Sequence, residues 1–228
     1  MISTNSCPTT GLWTRSGPWS EGAGRMVRRL LAIGLLVGLT GVLGATRSEA
    51  AADEPSASEV VRRMTDDVVG LLNDGTKSAA ERRRGIERIA EANIDFDTLS
   101  KLVLTQWWSR LSPADQREFV AQFQQHLAVT YGRNFEHFHD ETVEVLGDRA
   151  VSDGDWKVLT RIVRPSAQSV TVNYRLRKIG EQWRIIDVLI EGVSLVSNFR
   201  SQFHAILADG GAPQLLQVLR DKNAVGTS

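Results

Sequence analysis

The chain has 228 residues, 27 basic and 27 acidic side chains, and one cysteine. The length suits one domain, balanced charge excludes nucleic-acid binding through bulk electrostatics, and a lone cysteine excludes an internal disulfide. The N-terminus has the grammar of an export signal. Arg25, Arg28 and Arg29 precede an apolar run from Leu30 to Leu43, and Ser48 and Ala50 are small residues at positions suited to a cut after Ala50. The run is about 14 residues, short of the roughly 20 needed to span a bilayer. Residues 1–50 are therefore expected to be a signal peptide removed on export, with Met26 as the expected start, residues 51–57 a linker and 58–228 a single domain. The expected mature chain has 178 residues, no cysteine, and 22 basic against 25 acidic side chains. Its net charge of −3 also lacks the basic excess of a protein living on anionic lipid surfaces.

Ser58 to Asn73 predicts a helix with an apolar stripe of Val60, Val61, Met64, Val68, Leu71 and Leu72. Lys77 to Ala92 predicts a second, whose charged start (Glu81 to Arg84) reads as a solvated face. Asp95 or Asp97 can cap a third helix carrying Leu99, Leu102, Val103, Trp107 and Trp108. Ser112-Pro113-Ala114-Asp115 is a strong start signal for a fourth. There Phe119, Phe123, Leu127, Tyr131 and Phe135 recur every four residues, committing one stripe to a deep groove.

After Asp140 the period changes from 3.6 to 2. Residues 142–146, 156–164, 169–178 and 182–190 read as four strands with turn chemistry between them, and short connections suggest an antiparallel meander. The third strand alternates cleanly: Val170, Val172, Tyr174 and Leu176 against Thr171, Asn173, Arg175 and Arg177. The fourth does not. Simple alternation puts Trp183, Ile185 and Leu189 on one face with Asp187, and Ile186, Val188 and Ile190 on the other with Arg184. Both faces are largely apolar, so both should be covered. Gly192 then marks the change to helices over 193–207 and 213–222, separated by Asp209-Gly210-Gly211. Helices, strands, then helices is an α+β arrangement.

Catalytic grammar is sparse. His137, His139 and Glu141 have strand-edge ligand spacing, but no second His or Cys cluster closes a tetrahedral site. His126 and His204 read as surface or helix-end residues. No G-x-S-x-G, G-x-G-x-x-G or Walker loop occurs. Asp187 and Glu191 suit either a general acid/base pair in a cavity or framework roles: Asp187 bonded to a neighbouring strand, Glu191 near the last helix's N-terminus. Composition leaves a packed core and a core with a hole both open.

Several stretches resemble the MlaC, or toluene-tolerance, family of periplasmic phospholipid-binding transport proteins. They are Phe96-Asp97 with Leu102-Val103-Leu104 and Trp108; Leu111-Ser112-Pro113, Gln116, Phe119 and Phe123; Thr130-Tyr131; Trp183 to Asp187; Ile190 to Val196; Asn198-Phe199-Arg200; Gln202-Phe203; and Leu219 to Asn223. Thr105 departs from the pattern, where a glycine is expected. The resemblance implies an NTF2-like cone, a curved antiparallel four-stranded sheet with helices before and after it enclosing an apolar cavity. It implies a non-enzymatic carrier without a cofactor, moving phospholipid between an outer-membrane lipoprotein complex and an inner-membrane ABC transporter complex and so keeping the outer membrane asymmetric. Hopanoid carriage and a cavity enzyme with Asp187 as base are the alternatives. Leu102, Val103, Phe119, Phe123, Leu127, Tyr131, Val172, Tyr174, Ile186, Val188, Ile190 and Val196 are the expected lipid-binding residues. Asn198 and Arg200 are expected at the rim or a partner surface.

Overall fold

The computed structural model describes residues 54–132, 135, 140–151, 154–165 and 167–226. The expected signal peptide, its cleavage point, His137 and His139 lie outside the described residues. Four helices come first: α1 (Ala57–Asn73), α2 (Ala79–Asn93), α3 (Phe96–Leu104) and α4 (Pro113–Gly132), with a 3-10 turn over Thr105–Arg110. Their starts are fixed by side chains. Ser56 with Glu59 and Ser78 with Glu81 form reciprocal capping boxes. Asp95 accepts the Thr98 N–H at 2.9 Å, and Ser112 accepts that of Asp115 at 3.1 Å.

The third helix stops earlier than its stripe predicts. Thr105, at φ 50° and ψ −123°, terminates it, and Trp107 and Trp108 fall in the 3-10 turn. Such a backbone suits glycine and strains a β-branched residue. The Thr105 hydroxyl lies 3.1 Å from His204 Nε2, which lies 3.2 Å from the Leu104 carbonyl, the carbonyl that ends α3. His204 is thus half-buried against a helix end. His126 is also half-buried, edge-on to Phe199. Both are expected from sequence at the surface or at helix ends; both are instead half-buried within their own helices.

The strands β1 (Thr142–Ala150), β2 (Trp156–Val163), β3 (Val170–Ile179), β4 (Gln182–Ile190) and β5 (Val193–Ser194) form one antiparallel sheet in chain order. The expected α+β meander holds, with two corrections at its ends. β1 runs past the expected end at residue 146, through Gly147-Asp148 to Ala150, with a register shift between Val145 and Gly147. Gly192 does not lead directly into a helix. Glu191 and Gly192 both have positive φ (48° and 81°), as the two central residues of a tight hairpin require, and the chain returns as β5 before α5 (Leu195–Gly226) begins. A break at Gly211 (φ 68°) divides α5 where Asp209-Gly210-Gly211 predicts.

The most consequential correction concerns β4. Val172 pairs with Ile190, Tyr174 with Val188 and Arg175 with Asp187, but Leu176 then pairs with Ile185. Ile186 is the extra residue, and a bulge of this kind reverses the phase of the side chains beyond it. Trp183 and Ile185 therefore share a face with Val188 and Ile190, contrary to simple alternation. Ile186 stands apart from that face.

Two apolar cores result. One lies among α3, α4 and α5, around Val103, Leu104, Phe119, Phe123, Phe199 and Phe203. The other lies where α1 and α2 cover part of the sheet, with Val61 and Met64 against Val158, Leu176 and Ile185, joined by Trp156 and Trp183. Burying each large apolar side chain contributes roughly 1.5–3 kcal/mol.

Candidate functional site

The twelve sequence-predicted residues divide between these regions. Val103, Phe119, Phe123 and Val196 belong to the helical core. The Phe123 ring lies 5.5 Å from Phe119, 5.1 Å from Phe199 and 5.4 Å from Phe203, so aromatic neighbours occupy several sides of it. Leu102, Leu127 and Tyr131 are half-buried along the edge of that core. Val172, Tyr174, Val188 and Ile190 come together on one sheet face as two cross-strand pairs. Ile186 is fully buried in the bulge and does not join them.

Burial pushes the Tyr174 phenol up to about 12, part of the side chain stays accessible, and together with Val188 it packs against the core under α1. Its surroundings extend the patch. Cross-strand pairing places Val143 opposite Ile162, and Ile162 opposite Val170, on the same face as Val172 and Ile190. Among the described residues, these five are grouped with neither core. Val172 is buried and the other four are half-buried, and together they continue the apolar sheet face. Val143, Ile162 and Val170 are not among the twelve sequence-predicted residues, although the alternation of β1, β2 and β3 places them on this face. Tyr131, at the edge of the helical core, also has its phenol raised by burial.

The polar groups have structural tasks. Asp187 Oδ2 accepts the Ser194 hydroxyl at 2.6 Å, and Oδ1 accepts the Val196 N–H at 3.1 Å. Ser194 Oγ accepts the Ser197 N–H at 3.0 Å, so the pair caps α5. Both Asp187 oxygens are engaged away from any cavity chemistry. The Glu191 carboxylate accepts the Thr171 N–H, and its backbone N–H bonds the Thr171 carbonyl at 2.9 Å. Glu191 thus extends the β3 pairing and does not sit at the helix N-terminus. Arg200 donates Nε and a terminal N–H to the Leu102 carbonyl at 3.0 and 2.7 Å, tying α5 to α3. No sequence pattern signals Asp155, which is fully buried and receives Arg175 and Arg177 at 2.6 Å each. Burial alone would raise its carboxyl, but the hydrogen bonds from Arg177 and Arg175 outweigh that and hold it below the usual carboxylate range. Among the described residues, no group of three or more His, Cys, Asp or Glu is placed to hold a metal ion.

A cleft of about 480 Å³ between α1 and α2 is lined by Asp67, Leu71, Lys77, Arg88 and Ile89, among others. It includes none of the twelve predicted residues and carries charge of both signs around its apolar floor.

Comparison with known proteins agrees with this architecture. The chain is 25% identical over 150 residues to the toluene tolerance protein ttg2D of Pseudomonas putida, covering 64% of this chain and 70% of that one. Its fold matches a phospholipid-binding protein from Ralstonia solanacearum, solved with a phospholipid, at a TM-score of 0.70 and 22% identity; the match covers 76% of this chain and 99% of that one. Residues 62–221, which include the helical core and the whole sheet, match the model of the MlaC protein family, and the chain belongs to that family.

Proposed function

We propose that this protein is an exported, periplasmic carrier that holds a diacyl phospholipid against the open end of its sheet. The observation that carries this reading is the apolar patch of Val143, Ile162, Val170, Val172 and Ile190 beside Tyr174, which neither core absorbs. The Ralstonia protein of the same fold binds a phospholipid, which supplies the ligand class. The lining is then Val172, Tyr174, Val188 and Ile190 on the sheet, joined by Val143, Ile162 and Val170. Leu102, Leu127 and Tyr131 supply the helical side. Val103, Phe119, Phe123, Val196 and Ile186 stand behind this wall as support.

A magnitude explains why the hollow must be large and apolar. Two acyl chains of roughly 30 methylenes cost about 24 kcal/mol to expose to water at about 0.8 kcal/mol each. A carrier has to recover nearly all of that, without binding so tightly that delivery fails. The head group stays wet at the mouth. In this reading the protein shuttles lipid between an outer-membrane lipoprotein complex and an inner-membrane ABC transporter complex, maintaining outer-membrane asymmetry. A general base is not required, and the two engaged oxygens of Asp187 argue against the enzymatic alternative.

The test is native mass spectrometry and lipid extraction of protein purified from an envelope fraction. Phospholipid at one molecule per chain is expected. Protein that is empty on isolation, and cannot be loaded from liposomes, overturns the proposal.

A further inference from the structure

His126 stands where α4 meets both arms of α5. Its ring lies 5.7 Å from that of Phe199, edge to face, in the first arm. Lys222 and Asn223, beyond the break at Gly211, lie beside it in the second. Asn223 is buried and donates at 2.9 Å to both the carbonyl and the side-chain oxygen of Gln122, one turn before His126. This seam closes the end of α5 on α4. His126 Nδ1 is buried in it without a hydrogen bond of ordinary geometry. That state suits a neutral imidazole. A second proton makes both ring nitrogens donors and places a cation against an aromatic ring, partly out of water.

We propose that His126 is a proton-operated catch on this seam: neutral, it lets the end of α5 close on α4; protonated, it releases that end and loosens the wall carrying Leu127 and Tyr131. The consequence for a lipid rests on the carrier reading, because those two residues form the helical side of the proposed lining. No carboxylate compensates the protonated ring. Among the described residues, Lys222 is the charge that acts on it, and the sign is repulsive. From Phe119 to Gly132, α4 has no other charged residue. On α5, Arg220 pairs with Glu118, Asp221 accepts from Gln217, and Arg200 donates to the Leu102 carbonyl. On α3, Lys101 lies over Trp108; on α2, Glu91 accepts from Gln124. Burial first and Lys222 second hold the ring's proton affinity below that of an ordinary histidine, against a smaller opposite effect of Asn223. Lys222 is exposed, so salt screens its part. The sign follows. The folded seam binds a proton less readily than the opened one, so its stability is complete above the ordinary histidine value of 6.5 and is lost as pH falls below it.

The experiment follows the lipid-loaded wild type, His126→Gln and Lys222→Gln from about pH 7.5 to about pH 5. Three quantities are read: titration of the His126 ring by NMR, amide hydrogen exchange corrected for its intrinsic pH dependence, and transfer of fluorescent phosphatidylethanolamine to phosphatidylcholine vesicles. In the wild type the ring should titrate below the ordinary value. Amide protection at the end of α5 should fall about fivefold or more in acid, and transfer should rise by a similar factor. His126→Gln should hold both nearly constant. Lys222→Gln should move the midpoint of the acid-induced loss to higher pH. A ring that titrates at or above the ordinary value overturns the proposal, as does a loss of protection that His126→Gln leaves unchanged. A midpoint that Lys222→Gln does not move overturns it even where His126→Gln fails to fold. Constant transfer despite lost protection overturns the link to the lining. Absence of lipid from every variant sinks the carrier reading instead, and titration and exchange are then read on the empty chain.

Discussion

The helical core and the open end of the sheet begin from the same kind of sequence and end differently. Both are written as stripes of large apolar residues. In the helices, Phe119 and Phe123 meet Phe199 and Phe203, and the rings fill one another's space. On the sheet, Val172 and Ile190 are grouped with neither core. The difference teaches that an apolar stripe records a demand for a cover without saying what supplies it. A neighbouring helix met the demand in one place; in the other the proposal assigns it to a ligand.

The comparison can be broken most forcefully at Phe123. Phe123→Ala should lower unfolding stability by about 3–5 kcal/mol, measured by denaturant titration. A small loss would mean that the rings are not a closed core. Next comes Asp155→Asn, which leaves two half-exposed arginines without their shared carboxylate. A loss of about 1–3 kcal/mol at neutral pH is expected once solvent screening is allowed for. Because the folded carboxyl is held below its ordinary value, its contribution is complete above about pH 4 and is lost as pH falls through the folded value. The stability curves of the wild type and of the Asp155→Asn variant should therefore converge in acid.

Val172→Trp sharpens the other side of the comparison. In a filled core such enlargement costs about 1–3 kcal/mol. Against an open hollow it should cost less than about 1 kcal/mol while excluding phospholipid, as read by lipid extraction. Tyr174 offers a spectroscopic check. Its phenol is raised to about 12, so absorbance at alkaline pH should show its ionisation well after that of an ordinary tyrosine near 10. The sign follows: as pH rises from about 10 toward 12, the unfolded chain gains by ionising and folding stability falls. Tyr174→Phe should remove that part of the decline. The smallest effect is expected at Thr105, where glycine should raise stability by about 1 kcal/mol by relieving the positive φ.

Much of this was legible because local chemistry dictates it. Ser56, Ser78, Asp95 and Ser112 announce helix starts through their cap oxygens, and Gly211 marks a break no other residue tolerates well. The β4 bulge was illegible because Ile185 and Ile186 are both isoleucine. When consecutive residues are equally apolar, alternation carries no phase, and only the partner strand decides which one faces the core. The stripe on α4 is silent for a related reason. Phe119 and Phe123 share it with Leu127, but the rings that enclose them lie some 80 residues away on α5. Thr105 was legible only as a departure from an expected glycine, and its φ gives that departure a physical meaning.

Ile94 packs against both cores, and it bridges to Ile185 while Asp95 N–H bonds the Ile185 carbonyl at 2.9 Å. A side chain shared in this way couples the two cores mechanically. If the helical bundle tilts relative to the sheet, a pivot here lets the space between them widen or narrow while each set of packed side chains stays intact. For the proposed carrier, opening for a lipid would then be a rigid-body movement, far less costly than local unfolding.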